Sequence, residues 1–345
     1  MKPLLEKLRR GGDLNRAEVK SAVVGLLSER ADAAEKAAFL TALHEKGESA
    51  EEIAGFVEEL IERAIDPQID QASLPGPMLD VCGTGGAGLD LFNVSTTIMF
   101  ILAAGGAVVV KHGNRGVTSR CGSADVLEAL GIPLVWPPAE LRRCVQQLGL
   151  GFVFARHYHP AFGALAEMRA QLARQKTRTI FNLLGPLLNP ARPQHQLIGT
   201  YAPRMTTVFV DVLRQLGCAR AWAVHGHTGE GAGMDNISTS GPTTLAQLAA
   251  GKVSSAVLDC RWLGLPAGAL EELRGSDAKE NAQTLVGILD GQIRGARRDL
   301  VVANAAGAFV AAGLAGEMTE GIARANEQID NRRALQKLRA FQEFR

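Results

Sequence analysis

The chain has 345 residues, more than one hydrophobic core usually serves, and 46% of them are hydrophobic, enough for a large buried interior. Its formal net charge of +1 excludes a general electrostatic attraction to nucleic acid or anionic membrane, so basic groups must act locally. No apolar run reaches the ~18 residues a membrane span needs and no N-terminal signal pattern is present, so the expectation is a cytoplasmic protein without a membrane partner.

The first sixty-odd residues read as helices. Asn15 with Glu18, Asp32 with Glu35 and Ser49 with Glu52 each have the spacing of a capping box, in which side chains satisfy free N–H groups at a helix start. Ile53, Phe56, Val57, Leu60 and Ile61 fall on one face of the last of these helices, and no candidate catalytic group accompanies them. Residues 1–66 therefore form a packed helical domain. Asp66-Pro67 and Pro75-Gly76-Pro77 break the pattern and mark a hinge over 67–78. Strand-like runs at 79–82, 107–110, 151–154, 196–199 and 221–225 then alternate with helix-compatible stretches, and the Ala/Gly-rich stretch 301–316 reads as a close-packed helix. The fold class is α/β: a small N-terminal helical domain plus a larger domain, 79–345, with a mostly parallel central sheet flanked by helices.

The most informative stretch begins at Leu79-Asp80-Val81-Cys82. This apolar run enters Gly83-Thr84-Gly85-Gly86-Ala87-Gly88, and Phe92-Asn93-Val94-Ser95-Thr96 then precedes a helix over 97–104. Backbone N–H groups converging at a helix start bind phosphate, and glycine lets a multiply charged ligand approach the backbone. A tight strand-to-helix connection would read the same way. Gly83, Gly85 and Gly88 also fit a dinucleotide-binding spacing, but that reading needs an acidic residue about 20 positions on, whereas the second strand ends in Lys111. Lys111-His112-Gly113-Asn114-Arg115 follows, then Thr118-Ser119 and Gly122-Ser123-Ala124-Asp125. Two polar, glycine-bearing loops, one of them basic, suit a ligand with phosphates at both ends. Lys111 and Arg115 are also readable as a solvated pair at a strand end, Arg115 as a brace for its loop, and Asn93 and Ser95 as simple helix caps.

Five cysteines, Cys82, Cys121, Cys144, Cys218 and Cys260, are widely spaced and read as reduced thiols. His157/His159 and His225/His227 have no nearby Cys or carboxylate cluster to complete a metal site, and are read as ordinary histidines.

The run GTGGAG, NVST, KHGNRGVTS, GSADVLEALG, followed by RTIFNLLGPLLNP at 178–190, resembles the anthranilate phosphoribosyltransferase family of tryptophan biosynthesis, within the class III phosphoribosyltransferase and class II nucleoside phosphorylase fold. The resemblance implies transfer of 5-phosphoribosyl from phosphoribosyl pyrophosphate to the amino group of anthranilate, with Mg²⁺ as cofactor. It assigns phosphoribosyl pyrophosphate to Gly83, Thr84, Gly85, Gly86, Asn93, Ser95, Thr96, Lys111, Asn114, Ser119 and Ser123. It assigns anthranilate to Gly83, His112, Asn114, Arg169 and Pro186, and the metal to Ser95, Asp235 and Asn236. It further implies that residues 160–188 return to the helical domain and that this domain makes a homodimer contact.

This sequence departs from the family pattern in three places. Ala87 stands where an aspartate is usual, Leu91 where a small hydroxyl residue is common, and Asp235-Asn236 where an Asp-Glu pair holds magnesium. Glu230, in a longer loop, is a possible replacement ligand or a solvated acid. Extra residues around 173–177 leave Arg174 open beside Arg169 as carboxylate partner. Two rival readings stand: a related transferase or phosphorylase with another aromatic acceptor, and a catalytically silent paralogue that binds a ligand or nucleic acid.

Overall fold

The computed structural model describes all residues except 29–31, 86–88, 117–119, 166–167, 169–171, 173–176 and 229–230. The chain opens with helices α1 (Lys2–Arg9), α2 (Arg16–Leu27), α3 (Ala33–Lys46) and α4 (Ala50–Ile61). Two of the three expected capping boxes form. Asn15 Oδ1 accepts from the Glu18 N–H at 3.0 Å while Glu18 Oε2 accepts from the Asn15 N–H at 2.8 Å. Ser49 and Glu52 do the same at 3.2 and 2.8 Å. The third is incomplete: Asp32 accepts from Ala34 N–H at 3.2 Å, but Glu35 lies 3.6 Å from the amino group of Met1, a stronger competitor than a backbone N–H.

Ile53, Phe56, Val57 and Leu60 of α4 are buried as their spacing requires. The core they join also contains Leu165, Met168, Leu172, Ile180, Phe181, Leu183 and Leu184, together with residues of the helix Met205–Gln215.

The sheet is built from β1 (Met78–Gly83), β2 (Val108–Gly113), β3 (Leu150–Phe154), β4 (His195–Gly199), β5 (Arg220–His227), β6 (Gly233–Met234), β7 (Thr243–Ala249) and β8 (Lys252–Leu258). Its order is β3-β2-β1-β4-β5-β7-β8, with β6 also paired to β5. The pairs β3–β2, β2–β1, β1–β4 and β4–β5 are parallel, and those from β5 to β6, β5 to β7 and β7 to β8 are antiparallel. The sequence reading missed β6, β7 and β8. The turn between β7 and β8 is Ala250-Gly251, with φ of +49° and +74°; two left-handed residues fit a tight hairpin, but Ala-Gly lacks the usual Asn-Gly signature. β8 is exposed along almost its whole length, so it also lacks the alternation that identifies a half-buried strand.

Helix α5 (Val94–Ala104) leaves the glycine turn three residues earlier than the 97–104 expectation, so Ser95 and Thr96 sit in its first turn. α6 (Ser123–Ala129) and α7 (Pro138–Leu148) follow β2. The C-terminal close-packed helix is Ala296–Ala311, starting and ending five residues before the expected 301–316. A Cβ at its Gly307 would lie 2.3 Å from Ile237 Cδ1, so glycine there permits close packing on the segment after β6.

The strand order reverses direction at β1: the chain moves outward from β1 to β2 and β3, then crosses back to β4 on the other side. Such a switch opens a crevice beyond the carboxyl ends of the strands, where α/β proteins bind their ligands. The glycine turn lies there.

Candidate active site

β1 ends in Gly83, and the Thr84 N–H donates to the Gly199 carbonyl at the end of β4 (2.9 Å), so the turn is anchored to its neighbour strand. Gly85 adopts φ +66° and donates its N–H to Asp235 Oδ2 at 2.9 Å. Glycine is required by more than the turn: a Cβ on Gly83 would lie 2.2 Å from Asp235 Oδ2, and one on Gly199 would lie 1.7 Å from the Asp235 carbonyl oxygen. Asp235 is thus seated against Gly83, Gly85 and Gly199. Burial pushes its carboxyl above the ordinary range, while the Gly85 N–H, His225 and Lys111 pull it back. Asn236 Nδ2 donates to its other oxygen, Oδ1, at 3.3 Å.

Lys111, on β2, is 2% exposed. Its ammonium donates to the Val81 carbonyl and, at 3.1 Å, to Ser95 Oγ. Burial lowers its pKa; Asp80, Cys82 and Asp235 oppose that. The reading of Lys111 as a solvated strand-end residue therefore fails, whereas the bracing role of Arg115 holds. The Arg115 guanidinium donates to Asp125 at 2.9 Å and to both oxygens of Glu128 at 2.7 and 2.8 Å.

Asn93 occupies the N-cap position of α5, but its side chain makes no cap. Its Nδ2 donates to the Cys121 carbonyl at 3.2 Å and its Oδ1 accepts from Asn281 Nδ2 at 2.9 Å, tying the glycine turn to the loop before α6. The Thr96 hydroxyl is buried without a partner among the described residues. Asn114 bonds backward and forward within its loop: Oδ1 accepts from the Arg115 N–H at 2.8 Å, and its carbonyl accepts from Ser123 Oγ at 3.4 Å.

His112 faces the segment 185–189. A carbonyl can only accept, so Nδ1 carries the proton it shares with the Gly185 oxygen at 3.1 Å, and Nε2 is a buried lone pair with no partner among the described residues. Burial, then His159, push His112 down to about 3, so it is neutral at physiological pH. The Pro186 carbonyl accepts from Gln196 Nε2 at 3.1 Å and from Cys82 Sγ at 3.6 Å.

The structure thus places Gly83, Thr84, Gly85, Ser95, Lys111, Asp235 and Asn236 at the mouth of β1 and β4, with Asn93, Asn114 and Ser123 on one flank and His112 and Pro186 on the other. Gly86, Ala87, Ser119, Arg169, Arg174 and Glu230 lie outside the described residues. Sequence reasoning missed Gly199, Asn281 and Asp80. For Gly199 and Asn281 the signal is a contact with a distant residue; Asp80 was visible as a carboxylate inside an apolar strand.

His159, His225 and His227 are engaged with the Leu188 carbonyl, the Thr200 carbonyl and Thr244 Oγ1 at 2.7, 2.8 and 2.9 Å. Among the described residues no group of three or more His, Cys, Asp or Glu could hold a metal ion. A cation at this mouth would rely instead on Ser95 Oγ, the Asp235 carboxylate and Asn236 Oδ1. These are hard oxygen donors, which fit Mg²⁺ by type; Ser95 Oγ and the Asp235 oxygens keep lone pairs beyond the bonds they accept, and Asn236 bonds Asp235 through Nδ2 rather than Oδ1.

Residues 2–64 match the model of the glycosyl transferase family helical bundle domain, and residues 75–335 that of the family's a/b domain. An anthranilate phosphoribosyltransferase of Anaeromyxobacter sp. (strain K) is 43% identical over 97% of this chain and 96% of its own length. The chain belongs to the anthranilate phosphoribosyltransferase family. The anthranilate phosphoribosyltransferase of Thermus thermophilus superposes with a TM-score of 0.89 at 35% identity, covering 99% of this chain and 98% of that one. The Saccharomyces cerevisiae anthranilate phosphoribosyltransferase in complex with phosphoribosyl pyrophosphate and Mg gives 0.85 at 26% identity over 98% and 96%. In this member of the anthranilate phosphoribosyltransferase family the Asn236 amide donates to Asp235, which a carboxylate at that position could not do.

Proposed function

We propose that the protein transfers the 5-phosphoribosyl group of phosphoribosyl pyrophosphate to the amino group of anthranilate and releases pyrophosphate, in tryptophan biosynthesis. The observation that carries this is the buried Lys111 ammonium bonded to Ser95 of the first α5 turn beside the glycine turn. It forms a preorganised anion site at the switch point of the sheet.

In the reaction the C1–oxygen bond to pyrophosphate breaks, the anthranilate nitrogen bonds to C1, and the nitrogen then loses a proton. Negative charge grows on the leaving group, so fixed donors aimed at it lower the barrier without reorganising. Gly83, Thr84, Gly85 and Gly86 form the turn against which the diphosphate would lie; the Thr84 and Gly85 N–H groups are already given to the Gly199 carbonyl and the Asp235 carboxylate, and Lys111 has a third ammonium hydrogen beyond the two already donated. Asn93, Ser95, Thr96, Asn114, Ser119 and Ser123 complete this side. On the other side His112 and Pro186, with Gly83, Asn114 and Arg169, receive anthranilate; the unpartnered Nε2 of neutral His112 suits a donor such as its amine. Ser95, Asp235 and Asn236 would hold Mg²⁺, which when bound neutralises departing diphosphate charge.

We further read 1–66 as a helical domain completed by 160–188, 67–78 as a hinge and 79–345 as the substrate domain, with a homodimer contact through the helical domain in a cytoplasmic enzyme. The test is pyrophosphate release from phosphoribosyl pyrophosphate with Mg²⁺ across a panel of aromatic amines and bases. Release with anthranilate alone supports the reading, and release only with another acceptor replaces it.

Two variants refine the site. Arg169→Ala raises the anthranilate KM far more than the phosphoribosyl pyrophosphate KM; if Arg174→Ala does so instead, the carboxylate partner is Arg174. Asn236→Glu adds a second carboxylate and moves the Mg²⁺ activation midpoint downward by about tenfold, or ~1.4 kcal/mol. A titration at saturating phosphoribosyl pyrophosphate reads it, and an unchanged or higher midpoint removes Asn236 from the metal site.

A further inference from the structure

Asp80 is 0% exposed in the middle of β1, and Asn189 is 2% exposed beyond the segment that contains Pro186. Asp80 Oδ1 accepts from the His112 N–H at 3.2 Å, and Oδ2 accepts from Asn189 Nδ2 at 2.9 Å. The second Asn189 amide hydrogen reaches the Val110 carbonyl at 2.7 Å, and its Oδ1 accepts from the Ala191 N–H at 3.0 Å. Since the His112 ring donates to Gly185 O, a closed ring results: Asp80 to His112, His112 to Gly185, along the segment to Asn189, and back to Asp80. Gln196 and His159 add bonds to the Pro186 and Leu188 carbonyls at 3.1 and 2.7 Å.

A carboxylate with only neutral donors in a fully buried strand is costly, and well-packed apolar residues would stabilise a core at least as well. Burial pushes Asp80 up to about 6 although the Lys111 charge opposes it. What the ring supplies is geometry. It joins β1, which leads into the glycine turn, and β2, which carries Lys111, to the segment whose Gly185 carbonyl accepts from the His112 ring.

On the reading of the site given above, we infer that Asp80 and Asn189 are positioning residues: they fix the separation between the acceptor-side segment 185–189 and the phosphate-side glycine turn. They act through His112, Gly185 and Pro186. Placement of a nucleophile is a rate effect, and a misplacement of 1 Å lowers the rate by about a hundredfold.

The experiment uses the full chain with Asn189→Ala, Asp80→Asn and the double variant. The expected result for each single variant is a kcat lower by ~100-fold with a raised anthranilate KM, and for Asn189→Ala, which keeps the Asp80 charge beside Lys111, a phosphoribosyl pyrophosphate affinity by calorimetry within about twofold of the parent. The double variant loses no more than the worse single one, because both break one ring. A parallel loss of phosphoribosyl pyrophosphate affinity in Asn189→Ala, or additive effects of the two substitutions, overturns the proposal. Hydrogen exchange on the unliganded protein gives a readout independent of turnover, and Asn189→Ser serves if the alanine variant does not fold. Faster exchange confined to 185–191 and 112–114 is expected; exchange unchanged there, or raised throughout the chain, overturns the ring. If the parent turns over no acceptor, the proposed reaction falls while the exchange result still decides whether the ring holds the segment.

Discussion

Replacing Lys111 with alanine weakens phosphoribosyl pyrophosphate binding by ten- to a hundredfold, corresponding to the roughly 1.5–3 kcal/mol of a charged hydrogen bond to phosphate. The size follows from where the ammonium sits. It is 2% exposed, and its bonds to the Val81 carbonyl and Ser95 Oγ hold it in place before any ligand arrives. No entropy of a long flexible side chain is then lost on binding. Calorimetry with phosphoribosyl pyrophosphate measures the effect, and an unchanged affinity takes Lys111 out of the site. The substitution also changes the pH dependence of stability. Asp80 titrates at about 6, above its unfolded value, so the stability contributed by its protonated form is present below pH ~4 and is lost as pH rises through 6. Without the Lys111 charge that opposes this shift, ionising Asp80 costs more, and the variant's loss of melting temperature is larger at pH 8 than at pH 5.

The second large effect is on folding. In Gly199→Ala the new Cβ would lie 1.7 Å from the carbonyl oxygen, 2.4 Å from the carbonyl carbon and 3.0 Å from the Cα of Asp235. These are backbone atoms of the segment after β6, and they cannot swing aside as a side-chain tip can. Either β4 separates from that segment or Asp235 leaves the glycine turn. Overpacking of this kind costs about 3 kcal/mol or more, read as a lower urea midpoint, and turnover falls with it because Asp235 also holds Gly85. Gly163→Ala serves as the control, because a Cβ there meets nothing within 4 Å among the described residues, and its stability stays near the parent's.

The parallel half of the fold was legible because its strands are short, mainly apolar and largely buried runs, the signature of strands covered on both faces, even though β1 carries Asp80 and β4 carries Gln196. The antiparallel half was not, since β8 is nearly all exposed and the Ala250-Gly251 turn takes left-handed angles without a telling sequence. In the proposed site, Lys111 and the glycines were read from residue type and spacing, and His112 from the family resemblance. Gly199 could not be found that way, because what demands a glycine there is the backbone of Asp235, brought in by the return of β5 through β6. Propensity makes Asn93 a helix cap, but Asn281 and the Cys121 carbonyl take its side chain instead. Asp32 and Glu35 have the correct spacing for a reciprocal cap, yet an amino group close by outweighs a backbone donor.

The exposed terminal strand has a consequence for the protein as a material. β8 ends the sheet, and among the described residues its outer row of N–H and C=O groups pairs with no other strand. Its sequence, Lys252-Val253-Ser254-Ser255-Ala256-Val257-Leu258, contains one charge, no proline and no glycine, with Val257 69% exposed. That is the composition from which intermolecular ladders grow, with only Lys252 as a gatekeeper. In concentrated or heat-stressed solution 252–258, at the edge of the sheet opposite β3, is therefore the stretch expected to seed an intermolecular sheet, and a lysine in place of Val257 is expected to slow heat-induced aggregation read by light scattering.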